Sequence, residues 1–245
     1  MPLIPLSSVI NLFNAVVSAS CALIIWVRRR SMLWQDVFVS RFFFVFIFST
    51  LQFFTVSLPG ILTQDTTAIQ VIYTLGDVFV MLETFYLVSI PLKIFSKEKV
   101  SLKEPAAIGI LFTLFYLFYN LIFLKPAIPT TFGSFIDWRG STNPILEMLV
   151  WGLSAIALLA VILLFVINGW FHKQPIVRKR SRRFAVGFSL TFTGWFVVFL
   201  FTSFGSTNLK FLVSGGAIGS LLVSLGLLSV LTGIFAREKT NSFLT

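Results

Sequence analysis

The chain has 245 residues, 57% of them hydrophobic and only 11% charged, a balance far outside that of soluble domains and one that makes lipid its solvent. Its net charge of +10 comes from 19 Lys and Arg against 9 Asp and Glu, and the basic residues lie between apolar runs, which reads as membrane topology and not as nucleic-acid binding. The single cysteine, Cys21, sits inside an apolar run and gives no disulfide framework.

Apolar runs of about 20 residues, enough to cross a hydrocarbon layer of about 30 Å, recur near 5–27, 37–58, 69–92, 105–124, 145–168, 184–203 and 209–235. The expected fold is therefore all-α, a single seven-helix transmembrane domain over residues 1–245. The opening "MPLIPLSSVI" lacks the basic leader of a cleavable signal, so helix one is expected to be retained. In helix one Ser7, Asn11, Asn14, Ser18 and Cys21 recur at three- and four-residue steps and share one stripe. Helix two places Gln52 and Thr55 on one face, with Arg41 near its start.

Helix three carries Gln70, Tyr73 and Asp77 on a stripe that continues to Thr84. Glu83 lies six residues beyond Asp77, about 9 Å deeper and about 120° around the helix, so the two carboxylates do not share a face. Arg41 is the nearest basic residue for Glu83, but the two side chains lean apart and Arg41 is expected to reach toward the inner surface instead. Helix four contributes Tyr116, Tyr119 and Asn120, helix five Glu147, Trp151 and Ser154, and helix six Trp195. Glu147 is close enough to the helix start to reach water. In helix seven Gly219, Gly226 and Gly233 stand seven apart, with Gly215 four before the first. That spacing predicts close helix packing, the alternative being local unwinding at Gly215 and Gly216.

The short connections set the orientation. With the N-terminus outside, fifteen basic residues fall on the inner side, among them Arg28 to Arg30, Lys93, Lys97, Lys99, Lys103 and the cluster "HKQPIVRKRSRR" at 172–183, against Lys125, Arg139 and Lys210 outside. The C-terminus is then cytoplasmic. The 172–183 cluster reads as an inner loop that attracts anionic lipid or docks an acidic cytoplasmic protein. The outer segment 125–144 carries Trp138, a candidate headgroup-level anchor, and reads as a surface loop or a partial lid.

Seven helices with an external N-terminus, together with "VWGLSAIALL" in helix five, "GWFVVFLF" in helix six, "VSGGAIGS" in helix seven and the depth of Asp77, resemble the microbial rhodopsins. The resemblance implies a seven-helix bundle with Asp77 near the place of that family's helix-three counterion. The family's retinal-bearing lysine would fall near Gly216 and its accompanying acid near Leu212, so the resemblance does not extend to a Schiff base, and no cofactor is expected. Helix three lacks an acidic-Arg-Tyr motif and helix seven an Asn-Pro-x-x-Tyr motif, which sets the chain apart from eukaryotic receptors. "TLGD" at 74–77 is similar to the Gly-x-Gly-Asp of intramembrane aspartyl proteases, but Thr74 replaces the first glycine and no second membrane aspartate shares a proton. The only histidine, His172, lies outside the apolar runs, so neither catalysis nor a metal site is expected.

Nearly all the amides, acids and ring hydroxyls fall in the outer half. Because polar groups facing lipid are costly, they are expected to converge on an outward-open cavity above packed hydrocarbon. The expected function is a non-enzymatic sensor or receptor-like module of the cell membrane that binds a small ligand, lipid or proton there and signals through its basic inner loops. Asp77 is the charged contact, Tyr73, Asn11, Asn14, Gln52 and Asn120 its polar neighbours, and Trp195 an apolar wall. A small transporter or proton-coupled carrier with Asp77 and Glu83 along its path is the second reading, and a structural subunit of a membrane complex the third. Expected partners are membrane lipids, anionic at the basic loops, an acidic cytoplasmic protein and further copies of the chain.

Overall fold

The computed structural model describes residues 4–30, 36–95, 103–204 and 209–236. Among them, seven helices form: α1 (Leu6–Arg29), α2 (Val37–Leu62), α3 (Thr66–Phe95), α4 (Lys103–Ile122), α5 (Pro144–Phe171), α6 (Pro175–Phe204) and α7 (Leu209–Ile234). Six are long and apolar enough to cross a membrane; in α4 the apolar stretch covers only Gly109–Ile122. The architecture is that of a multi-pass membrane protein.

Side chains at the helix starts explain several boundaries. Asp36 accepts from the amides of Phe38 at 2.9 Å and Val39 at 3.3 Å, Asp65 from those of Thr67 at 2.8 Å and Ala68 at 3.2 Å, and Asn143 from that of Ile145 at 3.0 Å. Each fills amides that the helix itself leaves unpaired. α6 opens on Pro175, where a missing N–H costs nothing, so most of the basic 172–183 segment is the first turns of a helix and not a loop. α2 runs past the expected end and takes in Pro59, a second proline inside a span beside Pro91 of α3.

Six helices close a ring in the order α1, α2, α3, α5, α6, α7 and back to α1, while α4 lies outside it against α3. The ring skips α4, so that α3 is followed in it by α5. A three-stranded sheet covers one end: β1 (Ile4–Pro5) pairs in parallel with β3 (Phe135–Arg139), which pairs antiparallel with β2 (Ile128–Phe132). The expected surface loop at 125–144 is thus a hairpin. Gly133, at φ 60, takes the first of its two turn positions, a conformation that L side chains avoid. The opposite end carries the arginines of α1 and α6; the two are called here the sheet end and the basic end.

Toward the basic end the ring is filled by aromatic rings. Phe42 stacks on Phe184 with centroids 4.8 Å apart, Phe165 lies 5.1 Å from Phe184, and Phe42 and Phe165 both stack on Phe188. The expected apolar floor is present. Between α6 and α7 the backbones touch. A Cβ added at Gly187 would lie 2.8 Å from the Gly226 carbonyl, at Gly194 2.6 Å from the Gly219 carbonyl, and at Gly226 2.5 Å from the Gly187 carbonyl. The heptad spacing of the α7 glycines matches Gly187 and Gly194 on an antiparallel α6, and α7 stays helical through Gly215 and Gly216. Close packing, and not unwinding, is what these glycines provide.

Gly194→Ala and Gly226→Ala should each lower stability by about 1–3 kcal/mol, since backbone and not a yielding side chain stands in the way. Gly152 of α5, with nothing within 4 Å of an added Cβ, is the control. Gly152→Ala should be neutral or stabilising by about 0.5–1 kcal/mol. Unfolding in mixed detergent micelles measures all three.

Candidate functional site

The sheet end gathers polar side chains into three groups. The first lies between α1 and α7, where Asn14, buried at 3% exposure, accepts from the hydroxyls of Ser220 at 3.0 Å and Ser224 at 2.9 Å. The α1 stripe therefore faces inward, and Ser18 extends it by donating to the Phe46 carbonyl of α2 at 3.0 Å. Asn11, one turn earlier, is half-buried.

The second group joins α3 to α4 and to the start of α5. Tyr116, fully buried, donates its hydroxyl proton to Asp77 Oδ2 at 2.5 Å. Asn120 donates to the Tyr116 carbonyl at 2.9 Å, and Asn143 to the Tyr119 hydroxyl at 3.1 Å. Thr142 lies beside the Tyr116 hydroxyl and donates to Glu147 Oε2 at 3.1 Å. Asp77 thus reaches α4, whereas Glu83 turns to Ser49 of α2. The two acids serve different neighbours, as their spacing requires. Arg41 lies beside Tyr86 and makes no ion pair with Glu83; its buried Nη1 has no hydrogen-bond partner.

The third group lies under the sheet. Gln70 accepts from the Ser141 amide at 2.7 Å, which ties α3 to the segment leaving β3. Trp138 packs with Ile69, Ala127, Ile136 and Tyr73 and is buried at 7% exposure. Ser8 and Trp138 both border the bare Cα of Gly60. Ser8 Oγ, Tyr73 Oη and Trp138 Nε1 are buried and have no hydrogen-bond partner. Such atoms carry a desolvation cost that bound water or a polar ligand relieves. Asp137 on β3 is buried nearby and lies 3.9 Å from the Arg139 guanidinium. Burial pushes its carboxyl above the usual carboxylate range, while Ser7, Arg139 and the Trp138 amide pull it part of the way back.

The remaining candidates border these groups. Gln52 is buried at 3% exposure on α2, and Trp195 stands 5.1 Å from Trp151 and stacks at 5.8 Å on Phe53, an aromatic wall from α2, α5 and α6. Asp77 is hydrogen-bonded to Tyr116 and not to Tyr73, Asn11, Asn14, Gln52 or Trp195. Sequence reasoning passed over Thr142 and Ser8. "STNP" at 141–144 just before an apolar run is a helix-start signature that places hydroxyls beside α5, and it was the available signal for Thr142.

The chain matches no known family model and no curated protein. Its site has to be read from its own chemistry.

At the basic end the arginines cap helices. Arg180 donates to the Ala236 carbonyl at 3.1 Å, Arg182 to that of Gly169 at 2.7 Å and Arg183 to that of Thr232 at 2.8 Å, filling acceptors that the ends of α5 and α7 leave open. Arg28 and Arg29 lie over the Phe235 ring.

Two measurements check this geometry. Asn14→Ala should cost about 1 kcal/mol, two interhelical bonds at about 0.6 kcal/mol each, and Ser220→Ala about half of that, read by unfolding in mixed micelles. Asp137, with its folded-state pKa raised, binds its proton more tightly folded than unfolded. Wild-type stability should therefore gain from this group as pH falls from neutral toward about 4, and Asp137→Asn should lose that gain.

Proposed function

We propose that this protein is a non-enzymatic, receptor-like sensor of the cell membrane, with seven transmembrane helices, the sheet end outside and the C-terminus in the cytoplasm. The orientation rests on the Lys and Arg asymmetry of the short connections. A small polar ligand or proton is received at the sheet end. The change is passed through the packed ring to the basic end, where anionic lipid or an acidic cytoplasmic protein meets the arginines.

The observation that carries the reading is the set of buried polar atoms without partners, Ser8 Oγ, Tyr73 Oη and Trp138 Nε1, enclosed by a sheet that covers the ends of α1, α2 and α3. A protein that needed these groups only for packing would gain by pairing them or replacing them with apolar side chains. The aromatic floor supports a receptor over a carrier, because rings from α2, α5 and α6 fill the path that a solute would take.

Sealed liposomes containing the full chain test the reading. The sensor predicts no proton or cation flux above empty vesicles, and labelling of Ser7→Cys, in a Cys21→Ala background, by a membrane-impermeant thiol reagent added at the sheet side. Flux that vanishes in Asp77→Asn replaces the sensor with a carrier, and a Ser7→Cys thiol that never reacts removes the hydrated outer site.

A further inference from the structure

Tyr116 and Thr142 do more than satisfy a half-buried acid. In the apolar layer the Tyr116 hydroxyl donates to Asp77 Oδ2 at 2.5 Å, Thr142 lies next to that hydroxyl, and Thr142 Oγ1 donates to Glu147 Oε2 at 3.1 Å. Glu147 is exposed. Four side chains, from α3, α4, the 140–143 link and α5, thus line up from the half-buried carboxyl to the surface of the sheet end. We infer that this file is a proton path by which Asp77 exchanges its proton with water at the sheet end.

The chemistry needs only groups already in line. A hydroxyl both accepts and donates, and its proton turns to suit its neighbour. In the inward direction water protonates Glu147, the Glu147 O–H bond breaks as Thr142 Oγ1 takes that proton, and Thr142 gives its own proton to the Tyr116 oxygen. The Tyr116 O–H bond then breaks toward Asp77 Oδ2. Each hydroxyl ends with the one proton it began with. The net change is one proton moved from water to Asp77.

A purely structural tie would stop at Tyr116, whose hydroxyl alone fills the acceptor on Asp77. Continuing the file through a rotatable hydroxyl to an exposed carboxylate adds nothing to that role and supplies what proton exchange requires. From α4 the titratable group facing Asp77 is Tyr116, and from α5 it is Glu147. Where α2 meets this part of α3, at Gly76, it presents the Thr55 hydroxyl and the Val56 side chain. Glu83, on Asp77's own helix, faces Ser49.

The inference deepens the sensor reading by naming the external proton as an input, and it fails separately, because flux decides that reading and exchange rate decides this one. The full chain is placed in sealed vesicles with the sheet end outward, and the external pH is stepped while the protonated-carboxyl infrared band that disappears in Asp77→Asn is followed. Thr142→Val and Tyr116→Phe should each slow its response by about a hundredfold, the low end of what a positioned proton-transfer group contributes. Thr142→Ser, which keeps the hydroxyl, should keep the wild-type rate. An unchanged rate in Thr142→Val overturns the path, as does a band that follows only the internal pH or the lack of any Asp77-dependent band.

Discussion

The contact on which this bundle depends is backbone against backbone between α6 and α7. Without a hydrophobic drive between helices in lipid, association has to come from close van der Waals approach, and approach this close requires that neither helix carry a side chain at the crossing. Gly187 and Gly194 on one helix meet Gly226 and Gly219 on the other, each facing a carbonyl of its partner. The flanking positions add side chains, with Thr191 and Val198 of α6 against Gly226 and Gly219, and Phe184 against Gly233. This pair anchors one side of the ring, and α1 and α5 are placed by packing on either flank of it.

With that ring fixed, the polar residues sort by neighbour more than by depth. Asn14 is held by α7, Asp77 by α4 and Gln70 by the segment after the hairpin, while Glu83 faces Ser49 of α2. The basic half has little of this and is held by stacked phenylalanines and by arginines on helix-end carbonyls. One end of the molecule is therefore rich in groups that exchange hydrogen bonds, and the other in groups that only pack.

Much of this was legible in the residues, and the failures have causes. Helix positions followed from apolar length, and the α7 glycine heptad announced a close crossing, though nothing in one sequence said that α6 was the partner. The hairpin was missed because Pro126 and Pro129 and a short polar run read as loop, while its pairing depends on β1, two residues at the far end of the chain. The start of α6 was missed because arginine marks water in a hydropathy argument, yet here it suits a helix whose side chains reach neighbouring helix ends. The separate polar groups were not separable by depth, since residues at one level on different helices face different directions. Thr142 escaped notice because hydroxyls are cheap in such chains and seldom decide anything.

The parallel pairing of Ile4 and Pro5 with Phe135 and Ile136 has a mechanical meaning. It stitches the beginning of α1 to a strand that passes through residues 140–143 into α5, so two helices that are not ring neighbours share one tether at their sheet ends. Any axial slide or tilt of α1 pulls on the hairpin and through it on α5. The central strand is the fulcrum through which a load on either helix is shared with the other.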